Sequence, residues 1–444
     1  MASLSVIMIV KNETACLAAC LKSVAPIADE IIVGDTGSED DTVAIAEGFG
    51  ARVISVPWTN DFSAARNETI RAATSDWLLH MDADEELDAE GAAAIREIVD
   101  SDTSADAVEL VLANYCNDVH AWRWTPVDPS SPMSRGFAGC LPVGLLRLFR
   151  RDRGFIYQEA VHENITASVR ERNGVVRQTD IVIHHYGYAC TPEIRARKAK
   201  LYLELAREKH LHHPKDLKCL YDVAEQAMAC GETDETESAC RDALAIDPMH
   251  MEIGTLLSTI LLGRNAVDEA CQLLLEIEKN IGETPDHVQI VLGVIACYCG
   301  NWEEAEERLM RVVQAAPPAP LATLCLARVF DYRGDGARAD RLLRDLAAAA
   351  PHLEEAQARL QSHELRQAGE AAFVGGAAET GLKSLVKALE LDAEDAVTHN
   401  DLGVLMHTLG DVVRARESFE RALKLAPALK DARENLARLQ SVSP

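Results

Sequence analysis

Asp82-Ala83-Asp84 ends an apolar run at 77–81 that reads as a buried strand. In extended backbone, residues two apart point the same way, so both carboxylates can face one site. Two carboxylates held together repel unless a cation or ligand hydroxyls satisfy them. A magnesium or manganese ion bridging to a diphosphate meets that need, because such ions take one or two carboxylates plus phosphate oxygens. A solvated acidic turn is the competing reading, since Glu85, Glu86 and Asp88 follow. Two further polar clusters resemble this one in position: Lys11-Asn12-Glu13 after the run 4–10, and Asp35-Thr36-Gly37-Ser38 after the run 30–34.

A second set of groups lies downstream. Val161-His162-Glu163-Asn164 offers a carboxylate and an imidazole, and His184-His185-Tyr186-Gly187-Tyr188 ends a β-branched run at 181–186. A carboxylate next to an acceptor nucleophile can remove its proton, and a neutral imidazole suits manganese better than magnesium. The histidine spacing does not match a zinc protease motif. Arg147, Arg150, Arg151 and Arg153 form a basic run that reads as a solvated edge, with attraction of a diphosphate as the alternative. Trp122 and Trp124 lie in an irregular stretch at 120–143, where stacking on a ligand ring and ordinary packing are both open.

The elements that position these residues alternate. Strands are predicted at 4–10, 30–34, 52–56 and 77–81, and helices at 13–23, 40–49, 63–74 and 88–100, with Asn60 or Asp61 capping the third. Strand-like runs at 108–113, 144–150 and 181–186 follow. Such alternation predicts a mostly parallel sheet with helices on both faces, and ligands bind beyond the carboxyl ends of its strands. The three polar clusters fall at three such ends.

Near residue 190 the chain changes character. Thr191 and Pro192 suit the start of a helix, and the remainder is Ala- and Leu-rich with helical periodicity. Gly300 and Gly334, Gly376 and Gly410, Pro317 and Pro351, and Ala388 and Ala422 each recur at a step of 34, the period of tetratricopeptide repeats. Residues 396–429 are the clearest copy, with Leu402-Gly403, Ala415, Phe419, Ala422 and Pro427. Weaker copies fall at 217–250, 251–285, 286–319, 320–353 and 362–395, and 430–441 reads as a capping helix. About six repeats stack into a curved solenoid whose concave face binds peptide or protein, with self-association into a homodimer as the alternative.

The segments IMIVKNE, DEIIVGDTGSEDDT, NDFSAARNETI and LLHMDADE, in that order, resemble family-2 glycosyltransferases of the GT-A fold. With the repeats, the whole chain is similar to the bacterial subgroup that includes the sublancin-type peptide S-glycosyltransferases. The resemblance implies an α/β GT-A nucleotide-sugar-binding domain at 1–190, a linking helix at 191–216 and an all-α tetratricopeptide-repeat solenoid at 217–444. It implies that Ile9, Val10, Asn12 and Glu13 line the base and ribose and that Asp35 binds the base, usually uracil, beside a turn that Gly37 permits. Arg66 approaches the nucleotide or its diphosphate, and Asp82 and Asp84 form the ribose and metal site, Asp84 as the direct ligand ahead of Asp82, with Mn2+ or Mg2+ and His185 as an added ligand. Glu163 becomes the acceptor base, with His162 shaping the pocket. The implied activity is inverting, metal-dependent transfer from a UDP-sugar to a peptide or protein gripped by the repeats. Transfer to cell-envelope polysaccharide or lipid-linked glycan, and a non-catalytic scaffold that senses nucleotide sugar, are the alternatives.

Composition bounds these readings. The 444 residues, about 150 to a domain, make two or three domains. A net charge of −27 excludes a dedicated nucleic-acid binder, which needs a basic surface. The longest uncharged apolar stretch, 287–302, is too short and polar to span a bilayer, and 4–10 lacks the flanks of a signal peptide. None of the 12 cysteines is spaced C-x-x-C, so reduced thiols and a cytoplasmic setting are expected.

Overall fold

The computed structural model describes residues 2–442 except 102–103, 120–123, 129, 161–162, 188–191, 281, 283 and 316–318. Trp122 and His162 therefore lie outside the described residues. Two compact units are present. The first comprises 1–117, 130–214 and 229–231, and the second 118–129, 215–228 and 232–444. No described helix is long and apolar enough to cross a membrane.

The first unit is built on a mixed sheet. Its strands are β1 (Leu4–Val10), β2 (Glu30–Asp35), β3 (Arg52–Ser55), β4 (Trp77–His80), β5 (Glu85–Leu87), β6 (Ala107–Cys116), β7 (Gly139–Arg150) and β8 (Val176–His185), in the order β3-β2-β1-β4-β7-β6-β8-β5. Pairings β1–β2, β2–β3, β1–β4 and β6–β8 are parallel, and β4–β7, β6–β7 and β5–β8 antiparallel. The run LSVIMIV is apolar but for Ser5, as suits a strand covered on both faces. Leu4, Val6, Met8 and Val10 pack with Leu17 and Leu21 of α1 (Leu17–Val24) and Ile95 of α4 (Ala89–Ser101). Ile7 points the other way, into a core with Phe149, Phe155 and Val169, the last on α5 (Thr166–Glu171), and with Ile70 of α3 (Phe62–Ala72). The second helix, α2, spans Thr42–Gly48.

Register sets the site. Val10 pairs with Asp35 and Ile7 with His80, so β1, β2 and β4 end side by side. Asp61 caps α3 by accepting from the Ala64 amide at 2.9 Å. The helix is then clasped to the segment before Glu163: Asn67 exchanges two hydrogen bonds with the Tyr157 backbone, at 2.8 and 2.9 Å, and the Phe62 amide donates to the Ala160 carbonyl. The helix α6 (Pro192–His212), within the stretch read as a linker, groups with this first unit.

The second unit is a run of helices: α7 (Leu217–Ala229) and α8 (Thr233–Ile246), then packed pairs of α9 (Met251–Gly263) with α10 (Val267–Asn280), α11 (Asp286–Cys299) with α12 (Trp302–Ala315), α13 (Pro320–Tyr332) with α14 (Gly336–Ala349), α15 (Glu354–Val374) with α16 (Ala378–Leu391), and α17 (Ala396–Thr408) with α18 (Val412–Leu425), followed by α19 (Lys430–Val442). The recurrent glycines are the turns within pairs: Gly300, Gly334, Gly376 and Gly410 all have φ between 75° and 84°. Asn265 takes that place between α9 and α10 at φ 61°, a conformation that Asn tolerates better than most residues. The stretch 354–361 between the fourth and fifth repeats extends α15 at its N-terminus.

Gly403 shows how tightly the pairs approach. A Cβ there would lie 2.5 Å from Cε1 of Phe419, a ring that is itself 2% exposed. Replacing Gly by Ala within a helix gains about 1 kcal/mol of propensity, but overpacking a closed core costs about 1–3 kcal/mol. Gly403→Ala is therefore expected to lower the stability of the repeat array in urea unfolding followed by circular dichroism. Adding Phe419→Leu should recover part of the loss.

Candidate active site

At the ends of β1 and β2 two polar loops are tied together. The Asn12 amide donates to Ser38 Oγ at 3.0 Å, the Asn12 side-chain oxygen accepts from the Glu39 amide at 2.8 Å, and the Glu13 amide donates to Thr42 Oγ1 at 2.7 Å. Asn12 takes φ 57° to make this turn. Asp35 accepts from the Ser38 amide at 3.0 Å and the Gly37 amide at 3.3 Å, while Gly37 sits at φ 106°. A carboxylate has about four acceptor sites, so Asp35 braces its own turn and retains capacity for a ligand. Ile9 is half-buried and Val10 buried beneath these loops.

Beyond β4 lies a dense charged cluster. Arg66 and Arg147 are each 7% exposed. Asp82 accepts from Arg66 Nη1 at 2.9 Å through one oxygen and from Arg147 Nη2 at 3.2 Å through the other. Arg66 Nε also donates to Glu163 at 2.6 Å, and Arg147 Nη2 to Glu85 at 2.9 Å. His80 lies between the two guanidiniums, with the Tyr157 hydroxyl 2.6 Å from its Nδ1. Burial and both arginines hold the His80 imidazole well below its usual range, which keeps it neutral. Burial alone would raise the Asp82 carboxyl, but Arg66 and Arg147 hold it well below the usual carboxylate range. Burial pushes Glu85 up to about 7 against the pull of Arg147.

Asp84 faces elsewhere. Its Oδ2 is 3.4 Å from His185 Nε2, at the end of β8. Burial disfavours a charged His185, yet the contact with Asp84 raises its pKa above the usual value. When His185 is neutral with its proton on Nδ1, two acceptor atoms face each other, an arrangement that a cation relieves. Gly187 leaves room there: a Cβ at that position would lie 2.7 Å from His185 Nε2 and 3.4 Å from Asp84 Oδ2. Among the described residues no group of three or more His, Cys, Asp or Glu converges as a complete metal cage. A divalent ion held by two such side chains would need phosphate oxygens or water for its other positions, a mode that magnesium-type ions commonly use.

Asp82 and Asp84 have different protein partners: Asp82 accepts from two arginines, one through each oxygen, and Asp84 faces His185. Two expectations about the surroundings change. The basic run does not read as one solvated edge, because Arg147 is buried and paired. The acidic stretch after Asp84 is not a solvated turn either, since Glu85 is 1% exposed and begins β5. His184 points away from His185 and lies 2.8 Å from the Tyr115 hydroxyl. His80 stands within LLHMDADE without a role of its own, and Tyr157 and Asn114, which touch the site, carried no motif. Alternation along β4 and β6 is the signal that could place His80 and Asn114; Tyr157 lies outside the strands and had none.

Residues 5–151 match the family described as glycosyl transferase family 2. A TPR repeat-containing protein of Synechococcus elongatus is 38% identical over 194 residues, covering 42% of this chain and 43% of that protein. An uncharacterized glycosyltransferase of Rickettsia felis is 46% identical over 90 residues, covering 20% of this chain and 31% of its own. The SPbeta prophage-derived glycosyltransferase SunS of Bacillus subtilis is 27% identical over 269 residues, 58% of each chain. The match to the first two relatives spans less than half of their length.

The two aspartates should separate in a stability measurement. Both aspartates are half-buried, but their partners differ: removing Asp82 leaves two buried guanidiniums that cannot give up their charge, at about 3 kcal/mol or more, whereas His185 beside Asp84 can release its proton, so that loss stays below about 1 kcal/mol. Asp82→Asn is expected to destabilise the first unit by about 3 kcal/mol in urea unfolding read through Trp77 fluorescence. Asp84→Asn should shift it by less than about 1 kcal/mol.

Proposed function

Starting from a family-2 glycosyltransferase domain joined to tetratricopeptide-type repeats, we propose that this chain transfers a sugar from a nucleotide-sugar donor, probed here as a UDP-sugar, to a peptide or protein held by the repeats. The observation that carries the reading is the meeting of Asp84 Oδ2 and His185 Nε2 at 3.4 Å, beside strand ends that also bring Asp35 and the Asn12 loop together. The helical array and the resemblance to peptide-modifying relatives support the acceptor class.

In this reading the Asp35 turn and the loop through Asn12 and Glu13 bind the base and ribose, with Ile9 and Val10 as an apolar floor. Asp84 and His185 hold Mn2+ or Mg2+, which when bound offsets the charge that grows on the departing diphosphate. Arg66 and Arg147 fix Asp82 as a rigid acceptor for a ligand hydroxyl. Glu163, anchored through one oxygen by Arg66, takes the proton of the acceptor nucleophile. The nucleophile bonds to the anomeric carbon as the bond to the diphosphate oxygen breaks. The electron pair leaves with the diphosphate, and the configuration inverts.

Hydrolysis of UDP-sugars in the presence of Mn2+ tests the reading. Asp84→Ala and Gly187→Ala, which crowds His185, should each lower turnover by about 100-fold or more, with unfolding midpoints near that of the parent. Full turnover in Asp84→Ala would show that the ion is held elsewhere.

A further inference from the structure

His185 has two ring nitrogens, and the reading above needs one of them to present a lone pair beside Asp84. The structure contains the group that decides which. Asn114 lies in β6, in register with Leu141 of β7 on one side and His185 of β8 on the other. Its Nδ2 donates to the Leu141 carbonyl at 3.0 Å. That bond fixes the amide, because its oxygen cannot donate to a carbonyl, so Oδ1 must face His185. Oδ1 lies 2.6 Å from His185 Nδ1, and an amide oxygen can only accept. The neutral imidazole is therefore protonated on Nδ1, and Nε2 carries the lone pair toward Asp84. Outer partners that fix the ring in this way typically change metal affinity by about 10–100-fold when removed.

We propose that Asn114 is a positioning residue that sets the tautomer and ring orientation of His185 for a divalent cation shared with Asp84 and a diphosphate. The inference rests on the metal role given to Asp84 and His185 above. It needs no contact between Asn114 and the ion. The conservative change is Asn114→Asp, which keeps an acceptor for Nδ1–H. The disruptive one is Asn114→Leu, which removes it.

The first test uses nitrogen NMR of the full-length, metal-free chain with labelled histidine, at alkaline pH where the ring is neutral. The His185 signal is assigned by its loss in His185→Gln. The parent should show the Nδ1–H form and Asn114→Leu should lose that preference. An Nε2–H form in the parent overturns the proposal whether or not any variant folds. The second test measures Mn2+ affinity in the presence of UDP. Asn114→Leu should bind Mn2+ about 10–100-fold more weakly, and Asn114→Asp should stay near the parent. Equal affinity in Asn114→Leu and the parent overturns the proposal. A parent that shows the Nδ1–H form but binds no Mn2+ overturns it through its premise, and separates failure of the metal reading from failure of the tautomer assignment.

Discussion

Two guanidiniums buried side by side repel, and the first unit must answer that repulsion before any ligand arrives. Asp82 does so by lying between Arg66 and Arg147, with one carboxylate oxygen to each. Glu163 and Glu85 complete the neutralisation from either side. Through these bonds α3, the end of β4, β5, β7 and the segment before α5 are drawn to one place. A buried ion cluster is weak evidence of net stability, since apolar replacements of the same volume are often as stable. Its physical return is fixed geometry: each charged group has few alternatives that leave the others satisfied.

That constraint divides the labour of the acidic triplet. With Asp82 committed to arginines, Asp84 turns toward β8, where antiparallel pairing of Glu85 with His185 has already brought the histidine alongside. Backbone register thus performs what the triplet alone cannot. The Tyr186 amide donates to the Asp84 carbonyl at 3.0 Å and holds the turn to the strand end. Gly187 then keeps space beside the facing oxygen and nitrogen.

Much of this was legible in residue order, for local reasons. LSVIMIV, EIIVGD and WLLH are short, apolar and followed by polar turns, so counting along strands set Asp35, Asp82 and Asp84 at neighbouring ends. The 34-residue step was visible because the turn within each helix pair demands a positive φ, which glycine meets at little cost. What escaped depends on distant pairing. Glu85 sits in an acidic run and looks solvated until β8, a hundred residues on, covers it. Arg147 looks like one charge of a basic edge, and only the flanking apolar pattern of Leu146, Leu148 and Phe149 hints that its strand is central. Asn114 is one polar residue in VLANYC, and nothing local marks its two cross-strand bonds. The extension of α15 falls between repeats, where the period carries no information.

The proposed function rests on Asp84 and His185 as protein ligands of a divalent cation. Electron spin-echo spectroscopy of Mn2+ bound together with UDP reads it most directly, because a coordinating imidazole imprints a nitrogen coupling on the manganese signal. The account predicts that coupling in the parent and in Asp82→Glu, and its loss in His185→Gln. A manganese signal free of imidazole nitrogen in the parent, or one unchanged in His185→Gln, would contradict it.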